Sequence, residues 1–100
     1  MKTPVKIGLF GFGVVGEGLY QLINNNKIAR TEVQKICVRN KEKKRSIDKK
    51  YFTLDQQELI YKNSVNLIVE LIDDEKAAYK IVKNSLLNGK SVVSGNKKML

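Results

Sequence analysis

Residues 11–16 read Gly-Phe-Gly-Val-Val-Gly and follow directly on an apolar run, Val5-Lys6-Ile7-Gly8-Leu9-Phe10. An apolar strand, then Gly-x-Gly-x-x-Gly, then an amphipathic segment is the pattern of a dinucleotide-binding βαβ unit. Each glycine has its own physical task. Gly11 permits the tight turn out of the strand. Gly13 leaves room for a pyrophosphate to approach the backbone. Gly16 lets the helix pack close to the strand. A phosphate at that helix N-terminus meets unpaired N–H groups and the positive end of the helix dipole. Six residues alone are weak grounds, because glycine is common; their position after a strand and before a helix strengthens them. Glu17 interrupts the apolar stretch and no small-residue cleavage site follows, which argues against a secretory signal peptide.

The pattern continues as alternating strands and helices. Val14–Ile23 reads as a helix with Val15, Leu19, Leu22 and Ile23 on one face, ended by Asn24-Asn25-Asn26. Val33–Val38 reads as a second strand. Phe52 and Leu54 return to the core, and Asp55 is placed to cap a short helix over Gln56–Tyr61. Val65–Leu71 reads as a third strand, its continuous Leu67-Ile68-Val69 run fitting a parallel strand covered on both faces. Asp73 and Asp74 precede a helix over Glu75–Leu87, with Ala78, Ile81, Val82 and Leu86 facing inward and Asn88-Gly89 as the stop. Ser91–Val93 is a fourth, short strand before the turn Ser94-Gly95-Asn96. The expected fold is therefore α/β: a Rossmann-type doubly wound parallel sheet, truncated to four strands in the order 3-2-1-4, with a ligand crevice between strands 1 and 4.

One hundred residues make one such domain. Six strands are usual, so residues 1–100 are expected to be an N-terminal fragment of a longer enzyme whose substrate and dimerisation domain is absent. The chain has no histidine, which removes serine–histidine catalysis and weakens metal chemistry; no metal site is expected. The single cysteine, Cys37, lies in an apolar strand and reads as a buried, inert thiol. No apolar run reaches the roughly 18–20 residues of a membrane span. A cytoplasmic location and no membrane partner are expected.

The charge is +9, and it is uneven. Residues 1–50 hold 12 Lys and Arg against 4 acids, and the second half 7 against 6. The excess gathers between Lys35 and Lys50, mostly in the loop after the second strand: Lys35, Arg39, Lys41, Lys43, Lys44, Arg45, Lys49 and Lys50, against Glu42 and Asp48. Taken alone, such a run is a solvated loop. Its place in the fold makes it more informative. NAD-binding units carry an acid after strand 2 that bonds the ribose 2′-hydroxyl, roughly 20 residues beyond the glycines. That count lands near Glu32, which lies before strand 2 and at the wrong end of the sheet. Arg39 occupies the correct end, and a guanidinium there can pair with a 2′-phosphate. NADP is therefore the expected cofactor, with NAD second. Nucleic acid is not an expected partner, since the basic residues cluster in one loop without interleaved stacking residues.

Four segments, Val5–Tyr20 (VKIGLFGFGVVGEGLY), Val38–Arg45 (VRNKEKKR), Val69–Leu71 (VEL) and Val92–Leu100 (VVSGNKKML), together resemble the nucleotide-binding domain of homoserine dehydrogenase. The last segment carries the most specific part of the likeness, that family's Val-Val-(Thr/Ser)-x-Asn-Lys stretch. The resemblance implies interconversion of L-aspartate 4-semialdehyde and L-homoserine by hydride transfer, the branch step towards threonine and methionine. It implies nucleotide contacts at Phe12, Gly13, Val14 and Val15, flanked by Gly11 and Gly16, and at Arg39, Lys43 and Arg45 on the adenosine side. Ser94 and Lys97 match positions near the nicotinamide and substrate, with Lys97 as the acid–base group. A homo-oligomeric full-length enzyme follows from the same likeness. Asp73 and Asp74 depart from the pattern, standing where many members have small residues. The family's second catalytic lysine and acidic substrate-binding residues have no counterpart in this chain.

Two other readings share the glycine turn: a nucleotide-sensing regulatory module, and a different NAD(P)-dependent dehydrogenase. Without a substrate domain the 100-residue chain is expected to bind cofactor but not to turn over. An assay of NADPH-dependent reduction of aspartate semialdehyde by this chain should give no rate above background, and a measurable rate would refute the expectation.

Overall fold

A computed structural model describes residues 4–26, 30–39, 47–62 and 64–95. In chain order the elements are β1 (Val5–Phe10), α1 (Val14–Asn26), β2 (Thr31–Cys37), β3 (Phe52–Thr53), α2 (Gln57–Ile60), β4 (Leu67–Glu70), α3 (Glu75–Leu87) and β5 (Ser91–Ser94), with a 3-10 turn over Lys49–Tyr51 before β3. The strands form one sheet in the order β3-β2-β1-β4-β5, and every neighbouring pair is parallel.

The Rossmann-type sheet expected from the sequence is present, with one strand more. Phe52–Thr53 pairs with Ile36 and Cys37 and takes the edge beyond β2. Two residues at the end of a charged loop carry no alternating pattern, so nothing local announces them as a strand. The extra strand shifts the others. Leu67–Glu70, within the segment expected at the far edge, lies beside β1. Ser91–Ser94, expected beside the first strand, sits one place further out against β4. The crevice at the reversal of strand order is therefore flanked by β1 and β4.

β1 is the central strand and its side chains alternate between two cores. Ile7 and Leu9 pack with Tyr20 and Ile23 of α1 and with Val33, Ile36, Phe52 and Val69. Phe10 turns to the other face and packs with Leu59 and Ile60 of α2, Val65, Ile68 and Ile81 of α3. Gly8 lies on that second face, where a Cβ would come 2.9 Å from Val65 and 3.0 Å from Leu59. Val33 and Ile36 are three residues apart yet share the first core. A bulge explains this: Ile7 is opposite Val33 but Gly8 is opposite Lys35, so Gln34 is the extra residue that resets the alternation.

The helix faces differ from the spacing reading in detail. In α1 the inward stripe is Gly16, Tyr20 and Ile23, with Leu19 partly covered. Val15 and Leu22, expected inside, are exposed because each is one residue, about 100° of rotation, off that stripe. The asparagines do not stop the helix, which runs through Asn26. In α3, Ala78 and Ile81 are buried as expected, but Ser85 rather than Leu86 completes the stripe, its hydroxyl donating to the Ile81 carbonyl at 2.6 Å. α3 begins on Asp74 and stops at Gly89, whose φ of 75° is the left-handed value glycine tolerates. α2 starts one residue later than expected, and Asp55 does serve its first turn, accepting from the Gln57 N–H at 2.9 Å.

Lys90 shows how the lower end of the sheet is tied. It is buried, and its Nζ donates to the carbonyls of Lys62 and Val65, which holds the loop entering β4. Ile68 is fully buried in the middle of β4. Truncating Ile68 to Ala should cost about 2–5 kcal/mol, read as a lower urea midpoint at unchanged slope.

Candidate functional site

The glycine turn behaves as three separate constraints. Gly11 has φ of 95°, and its N–H donates to the Cys37 carbonyl at 3.0 Å, which ties the exit of β1 to the end of β2. A Cβ on Gly16 would lie 2.8 Å from the Gly11 carbonyl oxygen, so α1 can start this close to β1 only with glycine there. Gly13 is different: nothing lies within 4 Å of the position its Cβ would take. The first bond of α1 runs from Glu17 N–H to the Gly13 carbonyl at 2.9 Å. Gly13 is therefore the N-cap, and the N–H groups of Val14, Val15 and Gly16 have no acceptor within the helix. The side chains of Val14 and Val15 are exposed, so these residues can offer a ligand their backbone.

Phe12 turns its ring inward. It packs edge-on against Phe52 at 5.2 Å and Tyr20 at 6.3 Å between ring centres. The ring anchors the turn to α1 and β3.

A cleft of about 640 Å³ opens beside this turn. Gly11, Phe12 and Gly13 form one part of its wall, Val38 and Arg39 after β2 another, and Leu71, Ile72 and Asp73 after β4 a third. Leu54, expected in the core, is exposed and lines the cleft with Ala77. Cys37 lies at its floor with Phe10 and Ile81. Burial pushes the Cys37 thiol up to about 11, with Asp55 and Glu58 adding to the shift, so the thiol is protonated near neutral pH and inert.

Arg39 stands where the sequence placed it, just beyond the C-terminal end of β2. Its Nη2 donates to Asp74 Oδ2 at 3.4 Å, across the cleft mouth. Asp74 is also the N-cap of α3, its Oδ1 accepting from the Ala77 N–H at 3.1 Å. The backbone donors of Ala77 and then Lys76, with Arg39 adding, hold the Asp74 carboxyl below its usual range. Glu32 pairs in register with Lys6 near the start of β1, at the opposite end of the sheet from the glycine turn.

Ser94 is the last residue of β5 and does not line this cleft. Its Oγ donates to Glu70 Oε1 at 2.6 Å. The other oxygen of Glu70 accepts from the Ile72 N–H at 2.7 Å, and the Glu70 carbonyl accepts from the Gly95 N–H at 2.8 Å. Glu70 is fully buried, and sequence reading missed its role. One signal was available: an acid closing the apolar run Leu67-Ile68-Val69 needs a partner inside the protein. Lys43, Arg45 and Lys97 lie outside the described residues.

This arrangement agrees with the comparisons to known proteins. Residues 11–100 match the family described as "Homoserine dehydrogenase, NAD binding domain". The chain belongs to that family. It is 34% identical over 105 residues to the homoserine dehydrogenase of Neisseria gonorrhoeae, covering 97% of this chain and 24% of that protein. The Pseudomonas aeruginosa homoserine dehydrogenase is 32% identical with the same coverage. Among solved structures, a homoserine dehydrogenase from S. aureus superposes with a TM-score of 0.86 at 28% identity, over 100% of this chain and 27% of that one. The Thiobacillus denitrificans homoserine dehydrogenase gives a TM-score of 0.78 at 27% identity, over 97% of this chain and 24% of that one. The chain thus spans about a quarter of the length of these relatives.

Membership in this family supports a nicotinamide cofactor. The residues present fit one: the space left by Gly13 adjoins a helix N-terminus with unpaired N–H groups, and apolar walls flank it. Among the described residues no helix is long and apolar enough to cross a membrane.

The geometry separates the glycines experimentally. Gly13→Ala should leave the thermal unfolding midpoint nearly unchanged while weakening dinucleotide binding at least tenfold. Gly16→Ala should lower both, because its Cβ collides with the backbone of Gly11. Calorimetric titration alongside thermal melts checks the contrast.

Proposed function

We propose that this chain is the cofactor-binding part of a homoserine dehydrogenase, an enzyme that interconverts L-aspartate 4-semialdehyde and L-homoserine. Its preferred cofactor on this reading is NADP, with NAD second. When bound, such a cofactor supplies or accepts the hydride. The chain's residues hold it. The backbone N–H groups of Val14, Val15 and Gly16 receive the pyrophosphate, and Gly11 and Gly13 keep the approach open. Leu54 and Ala77 offer apolar surface to the adenine. Arg39 receives the 2′-phosphate, with Lys43 and Arg45 assigned to the same end from the sequence. Lys97 is the proposed acid–base residue at the substrate oxygen. Ser94, at the exit of β5, leads into that segment.

The observation that carries the cofactor preference is the guanidinium of Arg39 at the cleft mouth beyond β2, where an NAD-selective unit carries an acid. The full-length enzyme on this reading is a cytoplasmic homo-oligomer acting on a small molecule.

The decisive measurement is a titration of the folded chain with NADPH and NADH at two salt concentrations. NADPH should bind more tightly, and its advantage should shrink at high salt. Arg39→Ala should weaken NADPH about tenfold or more and NADH by less than twofold. Equal affinities, both insensitive to salt, would remove the 2′-phosphate assignment.

A further inference from the structure

Arg39 lines one wall of the cleft, and Asp74, next in sequence to Asp73 of the opposite wall, pairs with it. Arg39 follows β2, Asp74 follows β4, and β1 with its glycine turn runs between those two strands. A dinucleotide reaching from the Gly11–Gly13 turn towards the end of β2 must pass this ion pair. Both side chains are largely open to solvent, 81% and 47% exposed, so the pair adds little to stability. Its effect is on how the guanidinium is employed. Nη2 of Arg39 is already engaged by a carboxylate. That carboxylate is anchored, because its other oxygen caps α3 at Ala77. It cannot swing away without uncapping the helix.

We propose that Asp74 is a specificity-determining residue that competes with the ribose 2′-phosphate of NADP for Arg39 and so narrows the preference for NADP over NAD. The proposal rests on the assignment of Arg39 to the 2′-phosphate. A phosphate on Arg39 must displace Asp74 or share the guanidinium with it. Sharing brings a group of up to two negative charges to within about one guanidinium width of a fixed carboxylate, and like charges at that distance repel. A ribose with a free 2′-hydroxyl carries no charge and meets no such repulsion. Asp73 lines the same cleft and adds negative charge, but the carboxylate that Arg39 bonds is that of Asp74.

The test is a titration of NADPH and NADH into the wild-type chain, Asp74→Asn, Arg39→Ala and the double variant, at low and physiological salt. Asparagine keeps an oxygen for the Ala77 N–H, so the cap survives, and a thermal melt verifies this. Asp74→Asn should tighten NADPH roughly three- to tenfold and change NADH by less than twofold. The gain should shrink with salt and vanish in the Arg39→Ala background. Unchanged or weaker NADPH binding in Asp74→Asn, with Arg39→Ala still selective against NADPH, would overturn the competition and leave Asp74 as a support for Arg39. Equal gains for both cofactors would overturn it as well. Equal losses for both cofactors in Arg39→Ala would instead remove the 2′-phosphate assignment itself, and this proposal with it.

Discussion

The close approach of α1 to the end of β1 is the constraint on which the rest depends. The Gly11 carbonyl lies where a side chain on residue 16 would have to go. Gly11 itself adopts a backbone angle that most residues avoid. With both glycines in place, α1 starts directly above the strand end and points its unpaired N–H groups outward. The same short turn brings Phe12 back against Tyr20 and Phe52, which joins the turn to α1 and to the outer strand β3. An open helix N-terminus and a packing joint are thus made from one six-residue segment.

Charge is arranged around that joint in two different ways. Glu70 is buried, and its acceptors are occupied by Ser94 Oγ–H and Ile72 N–H. A buried carboxylate is tolerated because those donors replace water. Together with the Gly95 N–H bond to the Glu70 carbonyl, it fixes how β5 leaves the sheet. Arg39 and Asp74 are the opposite case, an exposed pair at the cleft mouth whose attraction is screened. The first pair holds the chain and the second faces whatever enters the cleft. Asp74 also caps a helix, so one carboxylate joins the start of α3 to the Arg39 ion pair.

Much of this was legible from particular residues. The apolar run into Gly-x-Gly-x-x-Gly announced β1, the turn and α1 because strand and helix periods differ and glycine marks the change. Glu75–Leu87 was read to the residue, since Asp74 and Gly89 are strong local start and stop signals. Other features were not legible, because they depend on neighbours distant in sequence. Phe52–Thr53 is a strand only by pairing with Ile36 and Cys37. The shared facing of Val33 and Ile36 needs the bulge at Gln34. Leu54 looked like core and became cleft wall, since no element among the described residues covers it.

By itself the sequence determined the α/β class, the glycine turn between the first strand and helix, the position of Arg39 beyond the second strand and the family to which the chain belongs. These follow from local chemistry: backbone freedom at glycine, the period of apolar residues, and the kind of charge at a strand end. Tertiary structure decided which strand lies beside β1, that Glu70 receives Ser94, and that Asp74 faces Arg39 from 35 residues away. Those depend on the order of strands in the sheet. In that order the edge place beyond β2 goes to a two-residue segment that is a strand only by pairing with β2.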